Sequence, residues 1–417
     1  MKLTLNKEQK SQFREILECL GESLDISRTQ FEAAVSSYNA VGNHLSEINS
    51  NLHPYFPTIL PQGSFLLGTM IQPINPDDDL DIDLVCQLTG KKEEWTQFDL
   101  KKEVGDQLKK KKVYAELLAQ PDGRRCWTLK YRESSENYKN KYHMDILPAI
   151  VDHGYHILLE KAYSSNEPID KLAIRITDKK RGDYKSETSH LNWLKCNPFG
   201  YGKWFFDRAS ITVSGVKLFS ESVKPVPQYQ DEKLPLQRIV QILKRHRDML
   251  FNGDDDKPIS IIITTLAARA YNKEVDVLEG LVNVVARMEQ YIQVRFSIEH
   301  GKLIKWVENP VNSAENFADK WHETPRKEKN FFLWLSKVKS DLAALQESSN
   351  SGLYSLQKSF SLSFGQSVVN EAFTQYGNKM RSKRDSGLLK MEKSTGILGG
   401  IGMSVKQHNF EGNLGKE

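Results

Sequence analysis

Residues 80–85 read Leu-Asp-Ile-Asp-Leu-Val, an alternation that constrains the fold more tightly than any other stretch of the chain. Side chains change faces along a strand with a period of two, so Leu80, Ile82 and Leu84 go into a core while Asp81 and Asp83 share the other side. Two carboxylates on one rigid strand face lose hydration and repel each other unless a cation meets them. Hard oxygen ligands of this kind suit Mg²⁺, which keeps several waters and is usually completed by substrate phosphates. The preceding Pro76-Asp77-Asp78-Asp79 is different: an acidic stretch bounded by proline reads as a solvated loop.

Just upstream lies Gln62-Gly63-Ser64. Glycine lets a backbone approach closely, and Ser64 stands where it would cap a helix over residues 65–70 and donate to a phosphate oxygen at that helix start. A second alternating strand, Tyr142-His143-Met144-Asp145-Ile146-Leu147-Pro148, sends His143 and Asp145 to one face and Met144 and Ile146 to the other. Residues 124–131 read as the strand that pairs with it. Two metals about 3.5–4 Å apart need bridging and flanking carboxylates, and Asp81, Asp83 and Asp145 supply that set.

Composition excludes several other classes. A chain of 417 residues with 39% hydrophobic content buries a large core and is expected to form two lobes. No apolar run reaches the length that spans a bilayer, and Met1–Glu8 lacks a signal-peptide core, so a soluble cytoplasmic protein without membrane contact is expected. Cys19, Cys86, Cys126 and Cys196 are far apart and form no CxxC pair, which argues against a disulfide framework or a cysteine-rich zinc site. His153 and His156 have a zinc-like spacing but no second pair, and read as a turn. A net charge of +4 fits a nucleotide-binding groove and gives no case for broad nucleic-acid binding. The run Lys109–Lys112 accordingly reads as a solvated helix end.

Along the chain, residues 1–50 read as N-terminal spine helices. Ser27-Arg28-Thr29-Gln30 is a capping box, followed by a stripe of Phe31, Val35, Tyr38, Val41 and Leu45. Residues 51–215 then form the catalytic domain, with a further alternating strand over 170–177. Residues 216–375 form a C-terminal helical lobe, built on Leu236, Ile239, Val240, Leu243 and an apolar run from Ile259 to Tyr271. Residues 376–417, rich in Gly, Ser and Lys, read as a flexible tail. The fold class is thus α/β (α+β), a catalytic sheet with a helical lobe closing a two-lobed cleft.

Gly-Ser, then Asp-x-Asp, then a distant Asp resembles the nucleotidyltransferase (DNA polymerase β-like) superfamily, and within it the bacterial cGAS/DncV-like nucleotidyltransferases, the CD-NTases. The segments 242–248 (Ile-Leu-Lys-Arg-His-Arg-Asp) and 258–262 (Pro-Ile-Ser-Ile-Ile) are similar to the helix and following helix start with which that family grips a donor triphosphate through a Lys and a Ser. Residues 197–205, 308–310 and 315–319 add to the likeness, which covers most of residues 50–320. Without the resemblance, Lys244-Arg245-His246-Arg247 would read as a solvated basic face.

The resemblance implies Asp81, Asp83 and Asp145 as catalytic metal ligands and Gln62, Gly63, Ser64, Lys244 and Ser260 as the nucleotide-binding set. It implies Mg²⁺ or Mn²⁺ as cofactor and nucleoside triphosphates, ATP or others, as substrates. The expected activity is template-independent synthesis of a cyclic di- or trinucleotide second messenger for CBASS antiphage defence. A downstream effector would act through the product, and a regulatory partner would bind the C-terminal tail. No nucleic-acid activator is indicated. Two other readings stay open: an RNA-tailing or oligoadenylate-synthase-like nucleotidyltransferase, and a catalytically silent nucleotide-binding scaffold.

Overall fold

Asn6 opens the first helix, α1 (Lys7–Leu24), with a capping box: its side chain accepts from the Gln9 amide, and the Gln9 side chain accepts from the Asn6 amide. Ser27 and Gln30 repeat the device at α2 (Arg28–Leu45), as their spacing predicts. The two helices serve different cores. Phe13, Ile16, Leu17, Leu20 and Leu24 of α1 pack into the helical lobe, whereas Ala34, Tyr38, Val41 and Leu45 of α2 pack against the catalytic sheet. The spine therefore bends between them, and the Asp25 carboxylate ties the bend to the later helices by accepting from Lys233 (2.5 Å), Arg238 (2.7 Å) and Gln241 (2.8 Å). The computed structural model describes residues 5–75, 80–137, 140–164, 169–213, 216–219, 228–298, 300–393, 396–399 and 402–405. The acidic run Asp77–Asp79 lies outside these.

The catalytic lobe is built on one six-stranded sheet. Its elements in chain order are β1 (Thr58–Pro61), the one-turn helix α3 (Gly63–Leu66), β2 (Leu80–Thr89), α4 (Gln97–Lys110), α5 (Lys112–Leu117), β3 (Trp127–Tyr131), β4 (Tyr142–Val151), α6 (Tyr155–Ser164), β5 (Ile174–Ile176) and β6 (Leu194–Cys196). β2 lies between β1, antiparallel, and β4, parallel along its whole length. On the other edge of β4, β3 pairs with its first half and β5 with its second, and β6 closes the sheet beside β5. The strand expected over 170–177 is confined to β5, because Ile169–Leu172 winds into a short 3₁₀ turn.

Both faces of this sheet are covered, and that places the acids. Leu80, Ile82, Leu84, Cys86 and Leu88 of β2 join Met144, Ile146 and Ile150 of β4 in a core under α2 and α4. On the opposite face Val85, Leu147, Ala149 and Val151 form a second core under α6. That second core begins only after Asp83 and Asp145, so the carboxylates occupy the open starts of the two central strands.

The chain then crosses to the helical lobe through α7 (Pro198–Ala209), the hairpin β7 (Ile211–Val213) and β8 (Val216–Phe219), then α8 (Pro235–Phe251), α9 (Ser260–Ala270) and α10 (Val277–Arg287). Two hairpins follow, β9 (Gln293–Ser297) with β10 (Lys302–Trp306) and β11 (Glu308–Asn309) with β12 (Asn312–Asn316). The long helices α11 (Pro325–Ser348), α12 (Leu353–Phe364) and α13 (Gln366–Asp385) complete the lobe. Among the described residues no helix is long and apolar enough to cross a membrane.

The expected tail from residue 376 needs correction. Tyr376 and Met380 sit one helical turn apart on the buried face of α13, which packs on α1, and Leu389 is buried in the same core. Beyond it β13 (Lys390–Met391) pairs with β14 (Leu398–Gly399) and β15 (Met403–Ser404). Polar composition hid a helix whose apolar contacts need only one residue per turn.

Candidate active site

The Gly63-Ser64 turn is locked to the strand that carries the acids. Pro61 pairs with Leu84, and the Gln62 amide donates to the Asp83 carbonyl at 2.8 Å. Gly63 then takes φ +59°, the left-handed region that favours glycine. A Cβ there would collide with the Asp83 carboxylate. Glycine is therefore required twice, for its backbone and for the room it leaves. The expected helix over 65–70 is only the single turn of α3, and Ser64 lies inside it rather than capping it. Its carbonyl accepts from the Thr69 amide at 3.0 Å as the chain turns away.

The parallel pairing of β2 and β4 sets Asp81 beside His143 and Asp83 beside Asp145. Asp81 is exposed, with His143 Nδ1 3.8 Å from its carboxylate, and Thr128 of β3 donates to Asp145. Asp83 lies deepest. Desolvation, followed by the charges of Asp81 and Asp145, pushes its carboxyl up to about 7, against a smaller opposing pull from Lys244. A carboxylate kept uncomfortable by two others is suited to a divalent cation. Among the described residues no three ligating side chains converge into a ready-made metal cage.

Across from the sheet runs α8, and here the solvated-face reading fails. Lys244, Arg245, His246 and Arg247 are 6%, 2%, 4% and 6% exposed. Each is buried with a partner: Lys244 Nζ donates to the Thr69 carbonyl (2.9 Å), Arg245 to the Gln72 carbonyl (2.7 Å), and His246 meets Asp341 (3.0 Å). Arg247 donates to the Pro258 carbonyl (3.1 Å) and to Ser260 Oγ (2.8 Å) at the first turn of α9. Burial, with the nearby charge of Arg247, lowers the Lys244 amine to about 8.

Gln62, Gly63, Ser64, Asp81, Asp83, Lys244 and Ser260 all line one cleft of about 640 Å³ between the lobes. Asp145, beside Asp83 on β4, does not itself line the cleft. The cleft also takes in Arg247, Lys257, Tyr201, Asn309, Glu315 and Phe317, which the sequence left without roles. Arg247 was findable as the residue one turn after Lys244 on the same helix. Asn309 and Glu315, joined by a 2.7 Å hydrogen bond across the β11–β12 hairpin, lie in segments that the family likeness had marked without giving either residue a role; the hairpin's fold brings them to the cleft.

A strand-borne carboxylate pair with a third acid on the parallel neighbour, facing a glycine turn and a buried lysine across a cleft of nucleotide size, defines a nucleotidyltransferase-type site. Residues 57–148 match the family model described as the cyclic GMP-AMP synthase DncV-like nucleotidyltransferase domain. The chain is 26% identical over 349 residues to a c-di-GMP synthase from Roseivirga ehrenbergii, covering 83% of this chain and 82% of that one. It is 22% identical over 395 residues to the cyclic dinucleotide synthase CdnG of Bradyrhizobium diazoefficiens, covering 88% and 85%. The solved structure of that CdnG with GTP superposes with a TM-score of 0.62 at 19% identity, over 87% of this chain and 99% of the other, which establishes the shared fold.

Proposed function

We propose that the enzyme joins nucleoside triphosphates, without a template, into a cyclic dinucleotide. The observation that carries this reading is the cleft itself, where Asp81 and Asp83 face the Gly63-Ser64 turn and Lys244. The donor phosphates rest on that turn and on Lys244, a point charge already held in place by the Thr69 carbonyl. An acceptor hydroxyl attacks the α-phosphorus in line and pyrophosphate leaves, with positioning and charge stabilisation supplying most of the rate. Asp81, Asp83 and Asp145 would hold divalent metal, Mg²⁺ or Mn²⁺, whose charge activates the hydroxyl and offsets that of the phosphates. Arg247 keeps Ser260 turned toward the cleft. Repetition in the same pocket, where a free hydroxyl meets a triphosphate at high effective concentration, closes the ring. The names of the two relatives favour two nucleotides over three, and GTP as the first substrate to try. The same reading makes the ring a cytoplasmic second messenger in CBASS antiphage defence, read by a downstream effector.

Purified protein with the four nucleoside triphosphates and Mg²⁺ or Mn²⁺ is expected to release pyrophosphate and form a short phosphatase-resistant product, identified by mass spectrometry. Long homopolymer, or labelling only after RNA is added, would replace the cyclase by a tailing enzyme. A chain that binds triphosphates but never releases pyrophosphate would be a silent scaffold.

Lys244 separates binding from chemistry. Lys244→Ala is expected to raise the KM for triphosphate about tenfold to a hundredfold with a smaller fall in kcat. Its lowered amine adds a pH signature: the charge that meets the phosphates is lost as pH rises through about 8, so the wild-type KM climbs above that pH and the alanine variant's does not. A KM independent of both the substitution and pH would remove Lys244 from the phosphate site.

A further inference from the structure

On the far side of the sheet from the carboxylates, a second cavity of about 390 Å³ lies between α4 and the turn of residues 179–185. None of its lining residues belongs to the catalytic cleft. Five lysines reach it (Lys101, Lys102, Lys109, Lys179 and Lys185) against two acids, Asp106 and Asp122. Lys101 and Lys179 share Asp122, at 2.8 and 2.6 Å, while Lys102 and Lys109 share Asp106, at 2.7 and 3.9 Å. Lys185 enters none of the ion pairs among the described residues, and its ammonium lies 5.3 Å from the centre of the Phe98 ring. The cavity thus carries about three more positive charges than negative ones; Lys101 is buried and paired with Asp122, and the excess sits on the exposed lysines around the rim.

The remaining wall is aromatic. Phe98, 38% exposed, stands edge-on to Tyr184 with ring centres 6.0 Å apart. Trp127 forms the floor, fixed by its indole N–H on the Lys101 carbonyl (2.8 Å) and by Gly105, where a Cβ would strike the ring. Trp127 and Tyr184 are buried, so a bare inorganic anion would satisfy the lysines and leave the exposed Phe98 ring in contact with water. A ligand with both a planar ring and phosphate answers both halves, and the volume is in the range of small-molecule sites.

We propose that this cavity binds a nucleoside phosphate, base against Phe98 and Trp127 and phosphate among the lysines, as a site separate from the catalytic cleft. It has a direct line to the chemistry. Trp127 is followed on β3 by Thr128, which faces the other way and donates to Asp145, so a ligand that shifts Trp127 moves the strand that holds that acid.

The test is titration calorimetry with probes that cannot react as donors: GMP, cyclic di-GMP and inorganic phosphate. Wild-type protein is expected to show a class of GMP or cyclic di-GMP sites that survives in Lys244→Ala and weakens at least tenfold in Lys102→Glu/Lys185→Glu. Comparing the two nucleotides tells whether free nucleotide or the enzyme's own product fills the site. Phe98→Ala is expected to weaken nucleotide without changing phosphate, and the milder Lys185→Ala serves if melting shows the double variant misfolded. Nucleotide binding that Lys244→Ala abolishes entirely, inorganic phosphate binding as tightly as GMP, or binding of duplex RNA alone would each overturn the proposal. These readouts need no turnover, so they stand or fall apart from the cyclase reading.

Discussion

Asp83→Asn is expected to stop turnover and, in the same protein, to raise the melting temperature above pH 7. The two effects have one cause. The Asp83 carboxyl titrates near 7 in the folded chain, because burial and the neighbouring Asp81 and Asp145 disfavour its charge, whereas the unfolded chain ionises it near 4. Between those values the folded state holds the extra proton, so stability falls as pH rises through the interval and the full cost of the buried charge is present above 7. Asparagine fills the same space without the charge. It should therefore melt a few degrees higher than wild type at pH 8 and alike at pH 4. Mg²⁺ should raise the wild-type melting temperature at pH 8 and leave the variant nearly unmoved, since an ion stabilises only the state that binds it. Turnover should fall about a thousandfold or more, the scale of losing several kcal/mol of charge stabilisation. A variant that keeps a tenth of the wild-type rate would dismiss the carboxylate from catalysis. One that is inactive but no more stable at pH 8 would dismiss the account of its buried charge.

What the sequence could disclose depended on how local each signal was. Asp81, Asp83 and Asp145 were legible because alternation alone fixes their faces, and parallel pairing of β2 with β4 then aligns those faces. The capping boxes at Asn6 and Ser27 involve atoms three residues apart, and the latter was read correctly. Ser64 was misjudged for the opposite reason: whether it caps or continues a turn is decided by the φ of Gly63, which the Asp83 strand imposes from outside the segment. The basic run on α8 carried no mark of burial, since its partners Thr69, Gln72, Pro258 and Asp341 are scattered over more than 250 residues. The cavity behind the sheet gathers residues from four segments, and only one of its lysines belongs to the run Lys109–Lys112 that stood out in the sequence.

Gly63→Ala is expected to be the most damaging change that removes no functional atom. An alanine at φ +59° costs about 1–2 kcal/mol for the left-handed backbone alone. Its methyl group would also occupy the position of the Asp83 carboxylate, and neither side can yield easily: the Gln62 amide pins the turn to the carbonyl of the same aspartate. The side chain must swing away or the turn must lift, and either moves the acids relative to the phosphate-binding backbone. Displacement of about 1 Å at a reacting centre costs on the order of a hundredfold, so turnover should drop by at least that much while the protein still folds. A double-mutant cycle separates the two contributions. Asp83→Ala removes the carboxylate that the methyl group meets, so Gly63→Ala made in that background should cost only the backbone part, and the coupling should be about 1 kcal/mol or more. Equal costs in both backgrounds would mean that the glycine serves conformation alone. Wild-type turnover in the single variant would mean that the turn and Asp83 do not share a site.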